Sequence, residues 1–363
     1  MKAAELIRRR LAAQHLLAPA DAAPAELVRE LGAVQAQDWP GAKWAVAQRL
    51  SGATNALLDA ALDRGDFIRT HILRPTWHLV APEDLRWMLE LTGPRVHQAL
   101  GYPYRYFEID SGVLRRSERA LERALRNGRS MLREELAQVL SRARIGPVPP
   151  RRAAFIVMAA ELDGVICSGP RRGARFTYAL LEERVPPAPP MPDRDAALRE
   201  LALRYFPTRG PATVHDFAWW SGLTVADARR ATAAAESELV RVRIGERDHW
   251  HGPSAAPRSR TSTVVHFLPS YDEYFIGLRD RSAMLAEPSG RRRSTANERV
   301  LINPLTVDGV AAGGWRRTLS TRSAAITLHP IRRLGPAERR AAAAVAELYR
   351  RFIELPVQLD FAG

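Results

Sequence analysis

The chain has 363 residues, which is more than one compact core usually holds, so we expect two to four modules. Its formal net charge is +14 at pH 7, and nearly all of the positive charge is arginine because lysine occurs only at positions 2 and 43. Such an excess favours a polyanionic partner such as nucleic acid, the alternative being a basic protein without one. The single cysteine, Cys167, excludes an intrachain disulfide and a cysteine-based zinc site.

The N-terminal segment is amphipathic and carries arginine at positions 8 to 10, so it lacks the apolar stretch of a signal peptide. No run of about 18 apolar residues occurs in the sequence, so no transmembrane helix is predicted. We therefore expect a cytoplasmic protein without a membrane partner.

The first predicted unit consists of a helix, a turn, a second helix and two short strands. Apolar residues at helical spacing predict helices over residues 6–17 and 25–35. Strands are predicted over 67–73 and 76–80, joined around Arg74-Pro75. The same order of elements occurs twice more along the chain.

In the second unit, Ser130 is a predicted N-cap, and a further helix is predicted over 151–162. A hairpin is predicted from strands over 165–168 and 175–178. In the third unit, two threonines are each followed by an aspartate three residues later, a spacing typical of helix starts. These pairs are Thr213 with Asp216 and Thr224 with Asp227, and strands over 239–244 and 248–251 follow them.

A helix pair that carries a β-hairpin is a winged helix, so the three units predict an α+β fold of tandem winged-helix modules. A proline-rich linker covers 184–193, and an exposed loop is predicted over 282–298. The sequence after residue 260 is rich in predicted strands, and a last helix is predicted after Gly335-Pro336. The predicted strands of this region cover 263–267, 300–307, 310–316 and 324–328. The predicted modules are residues 1–120, 121–185, 196–258 and 259–363.

Gln35-Ala36-Gln37 lies at the end of the second predicted helix, just before Asp38-Trp39-Pro40-Gly41. Each glutamine offers a carbonyl acceptor and an NH₂ donor, so the pair could hold one water molecule between them. Neither side chain can remove a proton at neutral pH. Such a site suits a reaction in which water needs placement and the leaving group is already activated.

Four segments resemble the bacterial winged-helix DNA glycosylases of the AlkZ/YcaQ type, and they occur in the order of that family. They are residues 31–49, 68–80, 268–281 and 307–317. The resemblance implies tandem winged helices curved around DNA and a small C-terminal β-barrel. It places Gln35 and Gln37 at the catalytic motif, where they would position the hydrolytic water. Some relatives carry aspartate at the second position, and the alternative is that both glutamines only cap the following turn.

On the first predicted hairpin, His71 and Trp77 share one strand parity and Arg74 and His78 the other, so one face should be packed and the other open toward Gln35 and Gln37. We expect the arginine and a histidine to contact phosphates near the lesion, with core packing an equal alternative for each residue. The second hairpin carries an arginine cluster at its tip, which is either a DNA contact or a solvated surface. The candidate DNA-binding residues are Lys43, Arg69, His71, Arg74, His78, Arg171, Arg172 and Arg175.

Asp272 and Glu273 form an adjacent carboxylate pair, but neighbouring strand positions point to opposite faces and would not converge on one bond. We expect Asp272 to pair with Arg279 or Arg281. His249 and His251 lack a third ligand nearby and are expected to be exposed, so no metal site is predicted. No glycine-rich phosphate loop is present, so no cofactor is expected.

The sequence therefore predicts a monofunctional DNA glycosylase that hydrolyses the N-glycosidic bond of N7-alkylated purines in damaged double-stranded DNA. Bulky adducts and interstrand crosslinks are candidate substrates, and the role would be DNA repair or self-resistance. We expect a monomer. No aromatic pocket is identifiable near the glutamines, so the base need not be flipped out. The alternative is a noncatalytic winged-helix DNA-binding protein or regulator, which would not need the glutamine pair.

Overall fold

The computed structural model describes residues 1–189, 191–253, 262–285 and 302–362. The N-terminal elements are α1 (Ala3–Ala13), α2 (Pro24–Leu31), β1 (Val34–Gln35), α3 (Trp39–Ala47), α4 (Asn55–Arg64), β2 (Ile68–Ile72) and β3 (Arg74–Val80). The three strands form an antiparallel sheet in the order β1-β3-β2. The predicted helix over 25–35 is too long. It ends at Leu31 because Gly32 takes a positive φ of 72°, and Gln35 therefore lies in a strand.

The next elements are α5 (Pro82–Ala99), α6 (Gly101–Tyr106), α7 (Ser111–Leu125), β4 (Met131–Leu132), α8 (Arg133–Ser141), α9 (Pro150–Leu162), β5 (Ile166–Ser168), β6 (Thr177–Leu180) and α10 (Leu181–Arg184). Their strands form a sheet in the order β4-β6-β5. The predicted N-cap at Ser130 is wrong. Helix α8 begins two residues later than expected from that cap, with Leu132 at the N-cap, whose N–H donates to Glu135 Oε2 at 2.6 Å.

The third unit consists of α11 (Arg194–Arg209), α12 (Val214–Ser221), α13 (Val225–Ala234), a short 3₁₀ helix (Glu236–Glu238), β7 (Val240–Ile244) and β8 (Arg247–His251). Both predicted helix starts are confirmed. The Thr213 hydroxyl accepts from Asp216 N at 3.2 Å, and the Thr224 hydroxyl accepts from Asp227 N at 3.0 Å. Strands β7 and β8 form the expected hairpin.

The C-terminal elements are β9 (Val265–Phe267), α14 (Glu273–Ile276), α15 (Ser282–Leu285), β10 (Pro304–Val307), β11 (Val310–Leu319), β12 (Ala324–Pro330), α16 (Pro336–Ile353) and β13 (Val357–Phe361). They build a five-stranded sheet in the order β13-β12-β11-β10-β9, in which β13 runs parallel to β12. Strand β13 was not predicted. The expected loop over 282–298 is wrong at its start, which is helical, and its remainder lies outside the described residues.

Two large apolar cores join parts of the chain that are distant in sequence. In one, α2, α3 and α4 pack with the five-stranded sheet and α16. In the other, α1, β2 and α5 pack with α11, α12, α13 and α14. Val34 of the short strand β1 belongs to the first core and the preceding Ala33 to the second, so β1 lies where the two cores meet. No helix within the described ranges is long and apolar enough to cross a membrane.

Candidate active site

Gln35 is held through both its backbone and its side chain. Its peptide N–H donates to Glu273 Oε1 at 2.9 Å, and its side-chain Oε1 accepts from Arg74 Nη2 at 3.0 Å. In the sheet register, Gln35 lies opposite His78 on β3, and its side chain is 8% exposed. Arg74 and His78 thus lie on the side of the hairpin that faces Gln35, but His78 is fully buried, so this face is not open as expected at His78. The phosphate contacts of Arg74 and His78 stay predictions.

His78 is an uncharged neighbour of the hydrogen bond between Arg74 and Gln35. Its Nδ1 donates to the Thr76 carbonyl at 3.0 Å, so Nε2 is the unprotonated nitrogen, and it lies 3.5 Å from Arg74 Nη2. Complete burial, reinforced by the charge of Arg74, lowers the pKa of His78 well below its ordinary value. Burial also lowers the pKa of Arg74. An uncharged imidazole here leaves Arg74 free to direct its guanidinium at Gln35.

Gln37 differs from Gln35 in being exposed. Within the described ranges its side chain makes no hydrogen bond or ion pair, so both the amide oxygen and the NH₂ group are available. The intervening Ala36 is fixed, because its N–H donates to the Trp77 carbonyl at 2.7 Å and its own carbonyl accepts from Arg69 Nε at 3.0 Å. The segment thus combines one anchored amide with one free amide on a rigid backbone.

Arg69 supports this backbone from inside the protein. Its guanidinium lies 4.2 Å from the ring centroids of both Trp77 and Phe176, and the residue is 7% exposed. Burial lowers the pKa of Arg69 to about 10. The backbone N–H of Arg69 also donates to Ser168 Oγ at 2.9 Å. The predicted DNA contact of Arg69 stays a prediction, whereas its contact with Ala36 is explicit.

A buried ion pair between Glu273 and Arg209 clamps the other side of the segment, and sequence analysis missed it. Glu273 Oε2 accepts from Arg209 Nη2 at 2.7 Å and from Trp220 Nε1 at 3.1 Å. Arg209 also donates to the carbonyls of Leu31 at 2.7 Å and Ala33 at 2.8 Å. The side chains of the pair are 0% and 1% exposed. Glu273 therefore connects α11 directly to the backbone of Gln35.

The expected pairing of Asp272 with Arg279 or Arg281 is wrong. Asp272 instead accepts two hydrogen bonds from Arg49, at 2.7 and 2.9 Å, and both side chains are essentially buried. The carboxylates do diverge, as expected, although they do so at the start of helix α14 and not in a strand. Sequence analysis had singled out both acids, but nothing local indicated partners 64 and 223 residues away.

His71 and Trp77 lie opposite each other in the β2–β3 register, as strand parity predicted, with ring centroids 4.3 Å apart. His71 Nδ1 lies 2.6 Å from Glu161 Oε2 on α9. His71 is 3% exposed and Glu161 is fully buried. The pair joins the first hairpin to the second unit, and a phosphate contact by His71 stays a prediction.

Lys43 and Arg171 share a carboxylate that links α3, α4 and the second unit. Lys43 Nζ donates to Asp59 Oδ1 at 2.7 Å, and Arg171 contacts Asp59 at 2.8 Å and Asp63 at 2.8 Å. Burial lowers the pKa of Lys43, although Asp59 opposes this shift. These two bases are committed to intramolecular pairs, so their predicted DNA contacts would compete with Asp59 and Asp63.

Arg172 and Arg175 are the open members of the arginine cluster. They pair with Glu135 at 2.8 Å and Glu134 at 2.6 Å, and their side chains are 53% and 58% exposed. Exposed ion pairs contribute at most about 1 kcal/mol, so a DNA phosphate could replace either glutamate at little cost.

His249 and His251 are not exposed, contrary to expectation, because β8 packs against the segment after α11. They are 8% and 6% exposed, and their Nδ1 atoms bond to the carbonyls of Arg247 and Gly252. Burial lowers the pKa of both. In the described residues, no group of three or more histidine, cysteine, aspartate or glutamate side chains is arranged to hold a metal ion.

Comparison with known proteins identifies the family of this chain. The sequence model of the family described as DNA glycosylase AlkZ-like matches residues 28–352. The interstrand DNA cross-link repair glycosylase of Streptomyces sahachiroi is 25% identical over 315 residues, covering 80% of this chain and 81% of that protein. The solved structure of Streptomyces sahachiroi DNA glycosylase AlkZ superposes with a TM-score of 0.76 at 19% identity over 99% of both chains, which shows a shared α+β fold. The resemblance found in the sequence is confirmed, and the chain belongs to the AlkZ-like family of DNA glycosylases.

Proposed function

We propose that this protein hydrolyses the N-glycosidic bond of N7-alkylated purines in duplex DNA, with bulky adducts and interstrand crosslinks among its substrates. The observation that carries the proposal is the pairing of an anchored Gln35 with a free, exposed Gln37 on one rigid segment. The name of the Streptomyces sahachiroi relative supports the inclusion of crosslinks.

The chemistry follows from the charge of the substrate. Alkylation at N7 makes the purine cationic, so the base leaves as a neutral molecule when the glycosidic electron pair returns to it. No general acid is required. Water forms the new bond to C1′ and releases its proton to solvent, while DNA phosphates and side-chain dipoles stabilise the oxocarbenium-like transition state.

The two glutamines divide the task of placing that water. Arg74 already occupies one lone pair of Gln35 Oε1, which orients the amide and leaves its NH₂ group free. Gln37 keeps its full donor and acceptor capacity and faces solvent, where bound DNA would lie. Gln37 is therefore the stronger candidate for direct contact with the water.

We further propose that the three helix–hairpin units are winged helices and that the five-stranded sheet is a small open barrel. The pairing of β7 with β8 after the capped helices α12 and α13 supports the first assignment. The contacts of α16 with both edge strands of the C-terminal sheet, β9 and β13, support the second. Arg172 and Arg175 would then contact DNA from the second wing.

The test is single-turnover release of free base from a duplex that contains one N7-methylguanine, measured with EDTA present. Gln37→Ala should slow release by about 10² or more, roughly 2.7 kcal/mol of barrier, while leaving DNA affinity nearly intact. Gln35→Ala should act in the same direction but less strongly. Gln358→Ala, an exposed glutamine on β13, is the matched control and should behave as wild type.

Three results would overturn the proposal. A wild-type protein that binds DNA but releases no base would favour a noncatalytic regulator. Equal losses of rate and affinity in both glutamine variants would assign the segment a folding role. Strong inhibition by EDTA would exclude the metal-free mechanism.

A further inference from the structure

Trp219 on α12 is an exposed aromatic residue beside the glutamine segment, where sequence analysis identified none. Its side chain is 47% exposed, whereas the adjacent Trp220 is fully buried in the core. The exposed part of the indole ring is a flat apolar surface that a ligand can cover.

The position of Trp219 relative to Gln35 is fixed by three contacts. Its carbonyl oxygen lies 3.5 Å from Arg74 Nη1, and the other terminal nitrogen of Arg74 bonds to Gln35. Its indole Nε1 donates to the carbonyl of Ile276 at 3.0 Å, at the end of the short helix that carries Glu273. The same helix thus anchors the backbone of Gln35 and the ring of Trp219.

The end of α12 is also pressed against the first hairpin. Gly222 ends this helix with a positive φ of 71°, and a Cβ there would lie 2.1 Å from the Leu73 carbonyl oxygen. Only glycine, which has no Cβ, allows the backbone at position 222 to lie this close to Leu73. Trp219 is therefore presented by a rigid element one turn away from the β2–β3 connection.

The surroundings of the ring favour a polyanion with flat rings. The guanidinium of Arg281 lies 5.9 Å from the ring centroid, and Arg74 adds a second positive charge nearby through its contact with the backbone carbonyl of Trp219. Since the indole N–H is already bonded to Ile276, the ring offers its π-face and not a hydrogen bond. Aromatic faces flanked by arginine are the usual platform for stacking nucleic-acid bases.

We propose that Trp219 stacks on a flat aromatic ring of the damaged DNA while Gln35 and Gln37 place the water. The ring is either a nucleobase next to the lesion or an aromatic group attached at N7. This inference rests on the proposed function for its location, but stacking itself requires binding and not base release.

The experiment compares wild type, Trp219→Ala and Trp219→Phe on two duplexes, one with N7-methylguanine and one with a bulky aromatic N7 adduct. Trp219→Ala should weaken binding about tenfold or more, and Trp219→Phe should restore most of the loss. Loss on both duplexes identifies a base as the stacking partner, and loss on the aromatic adduct alone identifies the adduct. Tyr102→Ala, which removes a 69% exposed aromatic side chain on α6, is the control and should change neither.

A second readout separates this inference from the proposed function. With 2-aminopurine next to the lesion and Gln37→Ala present to slow turnover, binding should change the fluorescence, and Trp219→Ala should abolish that change when a base is the stacking partner. If wild type releases no base but the Trp219-dependent signal persists, only the proposed catalysis fails. Unchanged affinity and fluorescence in Trp219→Ala, or a loss that phenylalanine does not restore, would overturn the stacking assignment.

Discussion

Glu273→Gln should uncouple the Gln35–Gln37 segment from the buried residues that hold it. The carboxylate accepts from the Gln35 N–H at 2.9 Å through one oxygen and from Arg209 and Trp220 through the other. A carboxamide has only one acceptor oxygen. If that oxygen faces Arg209, the NH₂ group opposes the Gln35 N–H, and if it faces Gln35, the NH₂ group opposes Arg209.

The magnitude follows from burial. Removing one partner of a buried ion pair costs about 3–5 kcal/mol, because the remaining charge is left without compensation. For a chain of 363 residues, the entropy of unfolding converts this loss to a decrease in Tm of about 4–7 °C. A displacement of Gln35 by about 1 Å would slow base release by about 10².

Asp272→Asn is the matched control for this variant. Asp272 is the adjacent residue, is equally buried and is paired with Arg49 through two short hydrogen bonds, but it has no contact with Gln35. Both variants should lose similar stability in urea unfolding. At a temperature well below either transition, only Glu273→Gln should lose its single-turnover rate, whereas Asp272→Asn should stay within about threefold of wild type.

Equal rate losses in the two variants would show that activity follows stability and that Glu273 has no positioning role. An undiminished rate in a folded Glu273→Gln protein would show that Arg74 alone suffices to hold Gln35.

The remaining predictions concern substrate range, salt and pH. N7-methylguanine should be excised but uracil, 8-oxoguanine and hypoxanthine should not, because neutral amides cannot activate an uncharged leaving group; efficient uracil release from matched duplexes would refute this. The logarithm of the affinity for duplex DNA should fall with the logarithm of the salt concentration with a slope of about −4 to −5, for about five phosphate contacts. A double Arg172→Ala, Arg175→Ala variant should make this slope shallower by about 2 on every sequence. A sharp preference for one undamaged sequence would favour a regulator. Several buried histidines have lowered pKa values in the fold, so below about pH 6.5 the unfolded chain binds protons that the folded chain does not. As the pH falls from 7 to 5.5, the free energy of unfolding should therefore decrease by up to about 1.4 kcal/mol per pH unit for each histidine. A free energy of urea unfolding that does not change with pH would contradict this prediction. These histidines are His78, His249, His251 and His266.

Features determined by short stretches of chain were predictable. The starts of α12 and α13 were recognised because a threonine and an aspartate three residues later contain the complete cap. The shared face of His71 and Trp77 followed from strand parity, whereas their direct pairing across the hairpin was not predicted. The early end of α2 could have been predicted from Gly32, since glycine is the residue that most readily ends a helix with a positive φ.

Features that depend on distant segments were not predictable. Strand β13 pairs in parallel with β12 only after α16 has crossed the sheet, and no local pattern reports that pairing. The partners of the two adjacent acids are Arg209 on α11 and Arg49, two residues after the end of α3. The charges of these residues were visible in the sequence, but their pairing was not. The aromatic surface at Trp219 was missed for the same reason, because α12 reaches the first hairpin only in the folded chain.

The site resolves an apparent conflict between its neutral side chains and its strongly charged surroundings. Arg74 and Glu273 contact Gln35 directly, and Arg209 holds Glu273 and the Ala33 carbonyl, so all three charged side chains are engaged in orienting this part of the chain. An ionised carboxylate at position 35 would form an ion pair with Arg74 and become a weaker base. The glutamine amide accepts a hydrogen bond from Arg74 and carries no charge that this contact would offset. Selectivity must then come from the substrate, since only a base that already carries a positive charge can leave when the protein supplies no more than an oriented water.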